Sequence, residues 1–244
     1  MPYRIWLVCT GNTCRSSMAE PMLRRLLDER GIREVEVHSA GLAAVEGAPA
    51  SPQAIEVMKE EGLDLSGHRA HRLTAREVAA ADLILTMTSE HKRTLLQQYP
   101  EASGRVFVLR EYAEGKELDP LLVRAHVLEQ LEDARRRQAI RMPRLKPGEN
   151  AGNTGSEADK GAGPAPGGAA GAAEAPPSSE AQELLNLQAE LAAYDIEDPI
   201  GGDRERYRET ARRLREALAQ VVARLERELS PGNDRGKGGK KESD

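Results

Sequence analysis

Aromatic residues are scarce in this sequence: one tryptophan, one phenylalanine and five tyrosines make up 3% of 244 residues. So thin a set argues against a surface that stacks on nucleic-acid bases. Only two cysteines are present, Cys9 and Cys14, five positions apart. That is no disulfide framework of a secreted domain, and two thiols in a reducing compartment read as chemistry rather than as a staple. No window approaches the roughly 18 apolar residues that a membrane-crossing helix needs. Met1 to Val8 is too short and too soon interrupted to be a secretory signal. Positive charge is not in excess either: 35 Lys and Arg against 40 Asp and Glu leave a net charge of -5, which offers nothing to nucleic acid or to an anionic membrane. The expectation is a soluble, cytoplasmic protein with one or two domains.

What is present is a regular alternation of short apolar runs and helical patterns over the first hundred-odd residues. Arg4 to Val8 reads as a buried strand and Ser16 to Arg30 as a helix closed at Gly31. Glu34 to His38 alternates as a strand does. Ser51 to Glu61 is a helix opened by Pro52, and Thr74 to Glu77 is a capping box. Asp82 to Met87 is a buried strand, Ser89 to Tyr99 a helix, and Arg105 to Leu109 a last strand. Four strands alternating with helices predict an α/β fold with a small, doubly wound parallel sheet.

The regularity then breaks. Leu121 to Met142 is a weakly amphipathic, Arg-rich helix whose Arg135 to Arg137 run is expected on a solvated face. Pro147 to Ser179, rich in Gly, Ala and Pro, cannot bury enough apolar surface to order itself. Glu180 to Tyr194 is helical again. Asp203 to Glu228 carries Tyr207, Ala211, Leu214, Leu218, Val221 and Leu225 at four- and three-residue steps, the clearest amphipathic helix in the chain. The expected organisation is a first part of one α/β domain at 1–119 and an insertion of helix, disordered linker and helix at 120–193. The domain resumes at 194–229, and a disordered tail occupies 230–244.

Chemistry concentrates at Val8-Cys9-Thr10-Gly11-Asn12-Thr13-Cys14-Arg15-Ser16. Between a buried strand and the first turn of a helix, successive backbone N–H groups point into one concavity, and the helix N-terminus adds partial positive charge. A tetrahedral dianion fits such a nest. Arg15 returns to the same loop with a planar, permanently charged fork. This field favours thiolate over thiol at Cys9, and the Ser16 hydroxyl can donate to that sulfur. Gly11 and Asn12 tolerate the left-handed backbone of a tight loop. Arg15 and the loop amides supply positive charge, so no cofactor or metal is expected. The five histidines are scattered, and His68 and His71 read as loop and surface residues.

The stretch Cys9 to Ser16 resembles the phosphate-binding loop of low-molecular-weight protein-tyrosine phosphatases and of their bacterial protein-arginine-phosphatase relatives. Ser39-Ala40-Gly41-Leu42, Asp64 to Ala70 and Ala81 to Met87 are similar to segments of that family as well. The likeness spans residues 1–118 and resumes near Asp195. It implies the same four-stranded fold and a protein phosphatase working through a phosphocysteine on Cys9, with phosphorylated proteins as substrates. The family's general acid is an Asp-Pro pair after the fourth strand, and two pairs qualify here. Asp119-Pro120 has the usual spacing from Glu111-Tyr112. Asp198-Pro199-Ile200-Gly201-Gly202 leads straight into the long C-terminal helix, and Asp198 is the expected acid.

In tyrosine-specific members the position of Thr13 is usually a larger aliphatic residue, whereas arginine phosphatases resemble this chain in carrying Thr. The resemblance therefore implies phosphoarginine as substrate, with phosphotyrosine as the alternative and Thr13 and Ile200 as specificity residues. Ile200 departs from the aromatic residue often found in arginine-phosphatase relatives. Cys14 is the expected redox partner of Cys9. An arsenate reductase of the same fold is disfavoured because no cysteine follows Cys14 to relay a thiol. The intact set of Cys9, Arg15 and Asp198 speaks against a non-catalytic phosphate-binding scaffold. Nothing in the sequence reads out an oligomeric state.

Overall fold

The computed structural model of the chain describes residues 2–141 and 178–229. The first apolar run becomes strand β1 (Tyr3–Cys9), buried from Ile5 onward. It lies between β2 (Val35–Gly41) and β3 (Leu83–Thr86), and β3 in turn pairs with β4 (Val106–Val108); all pairings are parallel, in the order β2-β1-β3-β4. Parallel strands need crossovers. Here these are the helices α1 (Arg15–Glu29), α2 (Pro52–Glu60), α3 (Ala75–Ala80) and α4 (Ser89–Gln98), with α5 (Leu109–Glu114) after the last strand. The expected α/β sheet is thus present. Two expected boundaries are sharpened by caps: Ser51 accepts from Ala54 N at the start of α2, and Thr74 with Glu77 forms the capping box of α3.

Alternation along β1 divides the core. Ile5, Leu7 and Cys9 face a layer containing α1, α2, α5 and α8 (Arg204–Leu229). Trp6 and Val8 face the opposite layer, with Val78 of α3 and Leu95 of α4. Helix α8 buries every residue of its amphipathic stripe, Tyr207, Ala211, Leu214, Leu218, Val221 and Leu225. A buried leucine is worth about 1.5–3 kcal/mol, so this helix is a structural closure of the domain rather than an appendage.

Between α5 and α8 the described residues form two helices, α6 (Asp119–Arg141) and α7 (Ser179–Ala192). They share a small core of Leu118, Ala125 and Leu191, with Leu121, Leu122, Leu184 and Leu187 against it. Arg124 pairs with Glu183, and Arg135 with both Glu132 and Glu180. The Arg135 to Arg137 run lies exposed, as expected, and Arg135 uses that face for ion pairs within the hairpin. The Gly/Ala/Pro-rich stretch lies outside the described residues at 142–177, as does the tail at 230–244. Of the stretch expected to end at Ser179, the last residue is corrected to helix: Ser178 caps α7 and Ser179 opens it.

A buried ion cluster anchors the start of this hairpin. Lys92 of α4 has a fully buried side chain, and its Nζ donates to both oxygens of the equally buried Glu111, at 2.8 and 2.9 Å. Nζ also reaches Asp119 Oδ1 at 2.5 Å. Glu111 further accepts the backbone N–H groups of Val108 and Leu118. Every charge taken from water here is matched by a donor or acceptor, the condition under which a buried ion pair is tolerated.

Candidate active site

Strand β1 ends at Cys9 and α1 begins at Arg15, so residues 10–14 make the turn between them. The N-cap position, Cys14, makes no side-chain cap, and the first turn of α1 holds no acid. The free N–H groups at this helix start and the loop thus remain available to an external anion. Asn12 has a positive φ of 54°, the left-handed turn its residue type permits. Cys9 Sγ is buried, 3.0 Å from Ser16 Oγ and accepting the Asn12 N–H at 3.3 Å. Gly41, at the end of β2, is pressed onto the loop: a Cβ there would stand 2.5 Å from the Thr10 carbonyl oxygen.

Asn12 is a hub that the sequence did not reveal. Its Nδ2 donates to Ser16 Oγ and to Ser39 Oγ, and Ser39 donates to Glu20. Its Oδ1 accepts the backbone N–H of His71, and its carbonyl accepts from His68 Nε2 at 2.6 Å. The two histidines, expected to be plain loop residues, therefore buttress the loop after Cys9, His68 by its ring and His71 by its backbone N–H. The His71 ring is itself held between Glu46 and Glu77, at 2.9 and 2.8 Å.

The hydrogen bond to Glu46, joined by Glu77, raises the His71 pKa above 6.5 against a burial effect that would lower it. Glu46 is lowered from 4.5 by its bond to His71; Glu77 is lowered as well, Thr74 and His71 outweighing the burial that would raise it. A raised imidazole stabilises the fold below 6.5 and ceases to as pH rises through its folded value. Lowered carboxylates stabilise above 4.5 and cease to as pH falls. The clamp is thus strongest between those limits. His71→Gln is expected to melt below wild type near pH 6, with the gap closing towards about pH 9. A gap that widens with rising pH in a melting series would disprove the clamp.

Arg15 is 4% exposed and makes two bonds, from Nη1 to the Ile196 carbonyl at 3.2 Å and from Nη2 to Asp198 Oδ2 at 2.5 Å. Its Nε is buried with no partner among the described residues. The segment carrying Asp198 is pinned on both sides. Ile196 N donates to the Met87 carbonyl just beyond β3, and Asp195 accepts from Ser89 N at 2.7 Å at the start of α4. Burial raises the Asp195 pKa even so. Past Asp198, Gly202 N donates to Pro199 O around Gly201, whose φ of 74° marks a type II turn. Ile200 N donates to Asp198 Oδ1, and the Ile200 side chain is 68% exposed.

The structure therefore brings Cys9, Thr10, Gly11, Asn12, Thr13, Cys14, Arg15, Ser16 and Asp198 into one site, and leaves Asp119 on Lys92 instead. Cys14 is a buried free thiol whose sulfur lies 3.5 Å from Ser51 Oγ and 3.3 Å from Tyr207 Oη. Thr13 Oγ1 is 3.6 Å from that same sulfur. His91 was missed by sequence reasoning. From the first turn of α4 it places Nε2 2.8 Å from Thr10 Oγ1 and Nδ1 2.8 Å from Thr88 Oγ1. Burial, and then the nearby Arg15, pull its pKa down to about 4. The Thr88 cap three residues earlier fixed its place on the helix, but nothing local showed that it meets Thr10. Among the described residues no three His, Cys, Asp or Glu side chains are arranged to hold a metal ion, and no helix is long and apolar enough to cross a membrane.

A model of the family described as low molecular weight phosphotyrosine protein phosphatase matches residues 4–135. A protein-arginine-phosphatase of Geobacillus stearothermophilus is 43% identical over 119 residues, 49% of this chain and 77% of that protein. A probable low molecular weight protein-tyrosine-phosphatase, EpsP, of Ralstonia solanacearum is 45% identical over 116 residues, 48% of this chain and 77% of that protein. Among solved structures, a mutant of YwlE arginine phosphatase with a phosphorylated active-site serine superposes with a TM-score of 0.58 at 25% identity, covering 93% of this chain and 97% of that one. On sequence, fold and site together, the chain belongs to the low molecular weight phosphotyrosine protein phosphatase family.

Proposed function

We propose that this chain hydrolyses phosphorylated side chains of proteins, phosphoarginine first, through a covalent phosphocysteine on Cys9. One observation carries the reading: Arg15, buried at the start of α1 directly after the loop of Cys9, keeps Nε without a partner among the described residues while its Nη2 holds the Asp198 carboxylate at 2.5 Å. Anion clamp, nucleophile and proton donor then converge on one point, as a phosphoryl transfer requires. The relative named protein-arginine-phosphatase supports the substrate class, and the solved phosphatase mutant carrying phosphate on its active-site serine supports a covalent route.

In the first step the Cys9 sulfur attacks phosphorus in line, while Arg15 and the amides of residues 10–15 hold the three equatorial oxygens. The bond from phosphorus to the leaving nitrogen or oxygen breaks, and Asp198 delivers a proton to that atom. Asp198 then takes a proton from water, whose oxygen attacks phosphorus. The S–P bond breaks, releasing phosphate and restoring the sulfur anion. The family match ends at residue 135, short of Asp198, so the choice of acid rests on geometry: Asp198 sits on the phosphate-binding arginine, Asp119 on a structural lysine. On this reading residues 120–193 are an insertion in the acid loop. Loop length is thermodynamically cheap, about 0.6 kcal/mol per doubling.

Thr13 in the loop and Ile200 beside the acid are the proposed specificity residues. A small polar wall at Thr13 suits a hydrated guanidinium better than an aromatic ring. Wild type is expected to turn over phosphoarginine on a protein faster than phosphotyrosine, and Thr13→Ile to shift that ratio towards phosphotyrosine by about tenfold. An unchanged ratio removes Thr13 as a determinant, and failure on both substrates removes the function.

A further inference from the structure

The start of α4 serves both halves of the site. Ser89 N and the Met87 carbonyl hold the acid segment, and two residues further on His91 touches the phosphate loop through Thr10. Hydrogen counting favours one assignment of roles in this contact. Thr88 Oγ1 already accepts the backbone N–H of His91 at 3.2 Å, so its own hydrogen is free for Nδ1. Nε2 then carries the ring hydrogen and donates it to Thr10 Oγ1. The opposite tautomer would consume the Thr10 hydrogen at Nε2 and strand the hydrogen of Thr88, which is part-buried, whereas Thr10 is exposed at the mouth of the loop. A neutral ring is what its buried position beside Arg15 favours.

We propose that His91 is a positioning residue that engages the oxygen of Thr10 and thereby turns the Thr10 hydrogen into the nest, as a side-chain donor to the bound phosphoryl group. The Thr10 backbone is itself fixed, since its carbonyl accepts the Ala43 N–H at 2.9 Å, so the hydroxyl is the group left to orient. This inference rests on the phosphatase reading above and adds one donor to it.

The test uses the full chain, an aryl phosphate as substrate and inorganic phosphate as the competing anion. Thr10→Val and His91→Ala are each expected to weaken phosphate about tenfold and to raise KM by a similar factor with kcat little changed, because the donor serves ground and transition states alike. The double variant is expected to be no worse than either single one, since both act through one hydroxyl. His91→Gln, whose amide N–H reaches the place of Nε2, and Thr10→Ser are expected to restore affinity. Additive losses, full phosphate affinity in Thr10→Val, or no recovery in His91→Gln would overturn the proposal. Thr10 is exposed, so its variant remains informative even if His91→Ala folds poorly. Should wild type itself neither turn over nor bind phosphate, the phosphatase reading falls; should wild type do both while the single variants match it, only the role of His91 falls.

Discussion

Replacing Asp198 by asparagine is expected to lower turnover of a phosphate with a poor leaving group by about 10²–10⁴-fold, the range associated with a positioned proton donor. Affinity for inorganic phosphate is expected to hold or rise, because the variant removes a negative charge that sits 2.5 Å from Nη2 of Arg15, the guanidinium proposed to hold the anion. The loss is expected to shrink for aryl phosphates whose leaving group needs no protonation. Asp119→Asn serves as the control. Its carboxylate is 46% exposed and bonded to Lys92, so the expected change is under about 1 kcal/mol in stability with little effect on rate. A steady-state comparison of the two variants decides the matter: if Asp119→Asn takes the large loss and Asp198→Asn does not, the assignment of the acid is wrong.

Lys92→Met is expected to cost about 3–5 kcal/mol in stability, read from urea midpoints. The reason is asymmetric. Lys92 and Glu111 are both essentially inaccessible to water, and removing the cation leaves the Glu111 carboxylate buried with only the amides of Val108 and Leu118 to satisfy it. The double variant Lys92→Met/Glu111→Gln is expected to regain part of that loss, since the uncompensated charge is gone. A single variant within about 1 kcal/mol of wild type would show that this cluster is not the anchor we describe.

The strands and the long terminal helix were legible because their burial follows sequence period, as in the four- and three-residue steps from Tyr207 to Leu225. The loop at Cys9 was legible because its chemistry is contiguous: nucleophile, turn residues and arginine lie within seven positions between a strand and a helix. What escaped sequence reading was made by distant segments meeting. A lysine in an amphipathic helix reads as surface, and only the arrival of Glu111 and Asp119 makes Lys92 buried. Asn12 was placed by its tolerance of positive φ, yet its larger role depends on Ser39, His68 and His71 from two other stretches. The two Asp-Pro pairs could be ranked but not assigned to their cations, because pairing with Arg15 or with Lys92 is a fact of tertiary structure.

Arg15 and the Asp198 carboxylate it holds are separated by 183 positions in the chain. The loop of Cys9 lies between β1 and α1, whereas Asp198 arrives on the segment that precedes α8. Contacts of such long range form late, after their closure entropy has been met. On the proposed roles, the proton donor therefore comes from the far end of the chain, and its seat on Arg15 waits on the closure of the whole domain. Under the proposed mechanism, hydrolytic competence depends on a contact that no local stretch of the chain can make alone.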